Sequence, residues 1–161
     1  MQALEIRNDA DKVQASDANA LQLIAFSIAD QTYGVEITTV REIRAWNGAT
    51  PLPNTQEYVR GVINLRGTIV PIFDLRARFG DGQTEPTKNH VVVVMSVGEK
   101  WVGILVDAVS DILTISKDDI HNVPESNQSD TELLNGIVTH DNRMVGLIDL
   151  EAIVAGTKEE A

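Results

Sequence analysis

Gln31-Thr-Tyr-Gly-Val-Glu-Ile37 aligns without a gap on Lys100-Trp-Val-Gly-Ile-Leu-Val106, 69 positions further on, with Gly34 falling on Gly103. The match extends over Leu23–Ile43 and Val92–Ile112, and it keeps an acid in Val40-Arg-Glu-Ile43 and Val109-Ser-Asp-Ile112. Further along, the shift becomes 75: Gly61-Val-Ile63 falls on Gly136-Ile-Val138, and Val70-Pro-Ile-Phe-Asp-Leu75 on Val145-Gly-Leu-Ile-Asp-Leu150. Self-similarity at a fixed spacing marks a duplicated structural unit. The six extra residues of the second copy fall between Ile112 and Gly136, where Ser116–Asn135 is rich in Ser, Asn and Asp. An enlarged loop is expected there.

Each copy reads as β. Gln22–Ile28 and Val91–Val97 are apolar or alternating runs of strand length, too short for a typical helix. Each is followed by a polar turn (Ala29–Thr32; Gly98–Lys100) and a second apolar run (Tyr33–Ile37; Trp101–Val106), which is the pattern of a hairpin. A second hairpin follows in each copy, turning at Arg66-Gly67 and at Asp141-Asn142, dipeptides that accept the positive φ of a two-residue turn. Pro71 lacks a backbone N–H and its counterpart Gly146 has no side chain, so an edge or bulge is expected at that point. Asp74 and Asp149 are placed as N-caps of short helices, Leu75–Phe79 and Leu150–Ala155. Val40–Ile43 and Gln56–Val59 are each expected to form a helical turn. Five strands in a copy of about 60 residues predict two small barrels, each too small to stand alone. The fold class is therefore all-β with short helices, two five-stranded barrels made by duplication. The boundaries follow: a flexible tail 1–20, a first repeat of about 21–79, a linker 80–90, a second repeat of about 91–155 and a frayed end 156–161.

Composition narrows the function. The 161 residues suit one ordinary domain or two tiny ones, and 43% hydrophobic content gives a real core that is aliphatic, because only 4% is aromatic. No cysteine is present, which excludes disulfides, thiolate metal sites and a Cys nucleophile. Apolar runs such as Val91–Met95 fall far short of the ~20 residues a membrane span needs, and Met1–Ala20 lacks the plan of a signal peptide. A cytoplasmic location is expected. The net charge of −11 argues against nucleic acid or anionic lipid. That charge is uneven: −4 over residues 1–39, +3 over 40–78 and −10 over 79–161. The basic residues of the middle segment are all arginines (Arg41, Arg44, Arg60, Arg66, Arg76, Arg78), the cation suited to carboxylate contacts at interfaces. The first copy is expected to meet an acidic partner surface.

Catalytic chemistry is not indicated. His90, His121 and His140 are scattered, Gly80-Asp-Gly82 lacks the pattern of a nucleotide loop, and Asp118-Asp119 lack the spacing of a calcium loop. His140 and Asp141, as strand neighbours, are expected to point to opposite faces. No enzyme, cofactor or metal is predicted. Trp46, ahead of Asn47-Gly48, is the better interface candidate of the two tryptophans.

Val40-Arg-Glu-Ile-Arg44, Thr50-Pro-Leu-Pro-Asn54 and Tyr58-Val-Arg-Gly-Val-Ile-Asn-Leu-Arg-Gly-Thr-Ile-Val-Pro-Ile-Phe-Asp-Leu75 resemble the CheW family of chemotaxis coupling proteins, as does Val102-Gly-Ile-Leu-Val-Asp-Ala-Val-Ser-Asp-Ile112. The resemblance runs from about Leu21 to Val154. It implies a CheW-like fold of two SH3-like barrels and a non-enzymatic scaffold of two-component signal transduction. Such proteins couple the cytoplasmic tips of methyl-accepting chemoreceptors to the regulatory domain of the histidine kinase CheA. By the same resemblance, receptor binding falls to Val40, Glu42, Asn64, Arg66 and Gly67, and kinase binding to Arg66, Gly61 and Gly67; a groove between barrels, lined by Val40 with Val106 and Val109, is expected to take the helical receptor tip. The loop Pro124–Asn135 is more polar than is usual in the family, so a second kinase contact that needs an apolar anchor there is expected to be weak, and no receiver or kinase domain is expected on the chain. The alternative is a small-ligand-binding or sensor double-barrel protein, which would need a closed apolar cavity with converging polar groups.

Overall fold

The computed structural model describes residues 19–80, 82–123 and 133–155. The chain forms β1 (Ala20–Ile28), β2 (Gln31–Glu36), β3 (Val40–Ala45), β4 (Val59–Leu65), β5 (Thr68–Asp74) and helix α1 (Leu75–Arg78). The second copy supplies β6 (Val91–Val97), β7 (Lys100–Val106), β8 (Ala108–Ser116), β9 (Leu134–His140), β10 (Arg143–Ile148) and helix α2 (Leu150–Ala155). The expected tails, apart from Asn19 and Ala20, and residues 124–132 of the second-copy loop lie outside the described residues.

The ten strands form two five-stranded mixed sheets, ordered β8-β1-β2-β10-β9 and β3-β6-β7-β5-β4. The two orders are the same when each strand is replaced by its duplicate. Each sheet therefore takes its first hairpin (β1–β2 or β6–β7) from one copy and its other three strands from the opposite copy. This corrects the expectation of two SH3-like barrels. The sheets exchange strands, and neither closes. β3 and β4 share no ladder; the outer edge of β4 carries instead an isolated bridge between Thr50 and Val62. In the other sheet the matching bridge joins His121 to Ile137 on the edge of β9. The inner joints are parallel, β5 with β7 and β10 with β2.

The exchange explains the apolar runs Leu23–Phe26 of β1 and Val91–Met95 of β6: both faces of these strands are buried there. Ile24, Phe26 and Ile28 of β1 and Val93 and Met95 of β6 enter one cluster that draws on both sheets. The alternate residues Leu23 and Ala25 enter the inner core of the first sheet with Leu113, Val138 and Val145. Val92 and Val94 enter that of the second sheet with Leu65, Val70 and Ile72. Alternation along a strand divides its side chains between two cores.

Several local expectations change. Val40–Ile43 is not a helical turn but part of β3, and a 3-10 turn, Ile37–Thr39, precedes it. Gln56–Val59 does form one hydrogen-bonded turn, Val59 N donating to Gln56 O at 3.0 Å. Pro71 and Gly146 sit on interior strands, not edges. Pro71 is tolerated because the parallel pairing of β5 with β7 begins only at Ile72. Gly146 is needed because Tyr33 lies over it; a Cβ there would stand 3.1 Å from the ring. In these two hairpins the bulge falls instead on the partner strand, in β4 at Arg60 and in β9 at its equivalent Asn135. The two-residue turns form as expected, with positive φ at Arg66 (52°), Gly67 (93°), Asp141 (53°) and Asn142 (64°).

The linker is tied down. Asp74, fully buried, caps α1 and accepts bonds from Thr84 N and Oγ1, both at 2.7 Å, with Arg60 Nε 3.4 Å away.

Candidate protein-interaction site

β3 and the β4–β5 hairpin lie at opposite ends of the strand order, yet the curl of the sheet brings their ends together. Arg66 Nη2 donates to Glu42 Oε1 at 2.7 Å, and Arg44 Nη1 stands 3.6 Å from Glu42 Oε2. The hairpin is built for this. Asn64 Oδ1 accepts from Gly67 N at 2.7 Å, which fixes the turn, and the left-handed backbone of Arg66 carries its guanidinium out at the tip, where it is 70% exposed. The hydrogen bond from Arg66 holds the Glu42 carboxyl below the usual carboxylate range, aided by the Coulombic pull of Arg66 and Arg44 against a desolvation penalty. The same bond raises the guanidinium of Arg66. An exposed pair of this kind contributes little to stability. What it does is present two donors and a carboxylate in a fixed arrangement.

Of the expected site residues, the structure brings together Glu42, Asn64, Arg66 and Gly67. Val40 begins the same strand, paired with Met95, half-buried against the central cluster. Val109 is its equivalent on the other sheet, paired with Phe26 and half-buried against the same cluster. Val106 does not line a groove: at 1% exposure it is part of the core and supports the strands from beneath. Gly61 is buried too. Its φ is +135°, and a Cβ would overlap the carbonyl of Thr50, so glycine lets the Thr50 bridge approach β4. Its side-chain-free backbone shapes this stretch of β4.

The arginine surplus is partly internal. Arg60 lies against Asp74; Arg78 donates to Ile153 O and Ala152 O at 3.1 and 3.0 Å and covers the Tyr58 ring at 4.6 Å. Arg44 and Arg66 share Glu42, and Arg41 is exposed. Sequence reasoning missed Ile43 on β3 and its equivalent Ile112 on β8, which are 43% and 56% exposed. Their signal was available, because the two isoleucines follow an acid at the same position of both copies, Glu42-Ile43 and Asp111-Ile112, on edge strands. Trp46 is half-buried against the inner core beside Trp101 and Ile63. A groove of about 460 Å³, open to solvent, runs along Arg44, Asn47, Ile63 and Asn64.

Chemically the site offers recognition. His90 is engaged elsewhere: its Nδ1 accepts from Thr87 N at 3.0 Å, and its Nε2 stands 3.4 Å from Asp107. His140 Nδ1 is 3.8 Å from Asp141, which sits in the turn and not on the strand, so strand alternation does not separate them. Asp118 belongs to a 3-10 turn capped by Ser116, whose Oγ accepts from Asp118 N at 3.2 Å. Among the described residues no group of three or more His, Asp or Glu could hold a metal ion.

Residues 22–158 match the family profile of the CheW-like domain. The chain belongs to the CheW family. It is 49% identical over 141 residues to a probable chemotaxis protein CheW of Rhizobium etli, a match that covers 87% of this chain and 91% of that one. Chemotaxis protein CheW of Rhizobium meliloti is 45% identical over the same shares. The crystal structure of scaffolding protein TtCheW from Thermoanaerobacter tengcongensis superposes with a TM-score of 0.77 at 32% identity, covering 83% of this chain and 86% of that one. The exchanged sheets thus belong to the CheW-like architecture as a whole, and the Glu42–Arg66 pair stands within the matched segment.

Proposed function

We propose that this chain is a non-enzymatic chemotaxis adaptor that couples the cytoplasmic tips of chemoreceptors to the histidine kinase CheA through the kinase's regulatory domain. Family membership supports the class of function. The observation that carries the site is the junction of Glu42 with Arg66, which fixes two motif segments 24 residues apart in one exposed, charged patch. The receptor tip docks along β3, against Val40, Glu42 and the exposed Ile43, with Asn64, Arg66 and Gly67 at the hairpin end and Val109 across the central cluster. The kinase domain meets the same hairpin from the other side, where Arg66 and Gly67 face it. Signal transfer then needs no bond chemistry. A change in receptor state shifts the positions of two partners held by one scaffold.

The protein works in the cytoplasm, held at the membrane by its receptors; among the described residues no helix is long and apolar enough to cross a bilayer. Separate pull-downs with a receptor cytoplasmic fragment and with the kinase regulatory domain test the reading. Capture by both baits is expected, and loss of both baits would sink it.

A further inference from the structure

We propose that the groove between β5, the β6–β7 turn and α2 is a docking site for a partner protein that inserts an aromatic side chain flanked by a basic residue. This goes beyond the coupling reading and rests on none of the contacts assigned to it.

The duplication supplies the argument. In the first sheet the equivalent place is filled by the chain itself: Tyr33 stacks on Phe79, ring centroids 4.9 Å apart, and lies over Gly146. In the second sheet Tyr33 is replaced by Val102 and Phe79 by Val154, while Pro71 stands for Gly146. The rings of Tyr33 and Phe79 have no counterpart there and Pro71 adds a pyrrolidine, while Trp101 and Phe73, which stand where the first sheet has Thr32 and Ile148, give the groove aromatic walls. What remains is an open groove of about 1170 Å³, lined by Ile69, Pro71, Trp101, Val102 and Val154. Ile69 is 60% exposed on its wall, an apolar surface that water covers at a cost. The other sheet shows which chemistry fills this shape, namely stacked aromatic rings.

The charges at the mouth select the neighbour of the ring. Glu99, Lys100 and Glu151 line the groove and are exposed, two carboxylates to one ammonium. A basic residue beside the ring complements that excess.

The occupant comes from another protein. This chain has seven aromatic residues: Phe26, Tyr33, Trp46, Tyr58, Phe73, Phe79 and Trp101. All lie among the described residues, so residues 1–18, 124–132 and 156–161 hold no ring to offer. None of the seven is exposed, so a second copy has none to donate either.

The test titrates the ¹⁵N-labelled full chain with three capped peptide amides: Lys-Phe-Lys, Lys-Ala-Lys and Glu-Phe-Glu. Lys-Phe-Lys is expected to shift the resonances of Gly98, Trp101, Val102 and Val154. The other two should bind more weakly, Lys-Ala-Lys by at least about tenfold, as loss of a buried ring requires. Ile69→Asn removes the exposed apolar wall without adding charge and should abolish the shifts while the fold is kept. Val154→Phe, which restores the ring found in the other sheet, should weaken them as well. The proposal is overturned if Lys-Phe-Lys moves none of these resonances, if Lys-Ala-Lys or Glu-Phe-Glu binds as well, or if folded Ile69→Asn responds like the parent chain.

Discussion

Glu42 and Arg66 are separated by 24 residues and by the whole width of a sheet, and they meet only because that sheet curls. Each is legible alone, as part of a motif resembling a known family. Their contact is not, since no spacing rule links an edge strand to a distant hairpin tip. The pair makes two predictions. Arg66→Glu sets like charges face to face and removes an exposed anchor; binding to receptor fragment or kinase regulatory domain should weaken by about 2 kcal/mol or more, read by calorimetry. Unchanged affinity in a folded variant would take Arg66 out of both interfaces. The second concerns pH. A carboxyl whose folded pKa is depressed contributes stability that is present above its unfolded pKa and lost as pH falls through the folded value. Glu42 is such a group, so the contact persists at neutral pH and breaks below the ordinary carboxylate range of about 4.3. NMR titration of the Glu42 carboxyl carbon should give a midpoint below that of Glu42 in Arg66→Ala; equal midpoints would show that the bond is absent in solution. Val106 shows the opposite failure: an apolar residue beside a motif looks the same in sequence whether it lines a groove or lies beneath one.

At the scale of elements, the two hairpin turns and the capped helices are readable because their chemistry is local: Gly and Asn take positive φ, and Asp caps a helix. β3 resembles a helical turn in sequence because four residues of mixed polarity carry no period, and its strand character comes from pairing with β6, about 50 residues away. The glycines of the β4–β5 hairpin separate two kinds of constraint. Gly67 (φ +93°) would have nothing within 4 Å of an added methyl group, so Gly67→Ala costs only backbone strain, about 1 kcal/mol. Gly61→Ala adds a clash with the Thr50 carbonyl, which must move and break its bridge to Val62. A loss of about 3 kcal/mol is expected in urea unfolding, within the range for strain plus overpacking. Equal losses for the two variants would show that the Thr50 bridge is not formed. Such a bridge is invisible in sequence, since Thr50 precedes Pro51 in a segment with no strand pattern.

For the whole molecule, the duplication is readable from end to end, but which strands pair is not, because exchanged and unexchanged copies carry the same apolar pattern. Two self-contained units and two interleaved ones differ only in partner choice, which the hydrophobic period does not encode. The difference is physical and measurable. In the interleaved arrangement β1 and β2 have no partners within the first copy beyond each other, and β3, β4 and β5 lack the β6–β7 hairpin that joins them. A chain cut between the copies therefore leaves two fragments, each holding a lone hairpin and a broken sheet, and a lone hairpin is marginal in water. Residues 1–80 and 81–161, produced separately, should show unfolded circular dichroism spectra and regain strand signal only when mixed in equal amounts. Refolding should be slow relative to a protein rich in local contacts, because the β1–β8 and β3–β6 ladders close long stretches of chain. A fragment that folds cooperatively by itself would contradict the exchange. Because the strands are exchanged, a partner that pulls on one sheet is mechanically tied to both copies, which suits the proposed role of a scaffold that passes displacement from one bound protein to another.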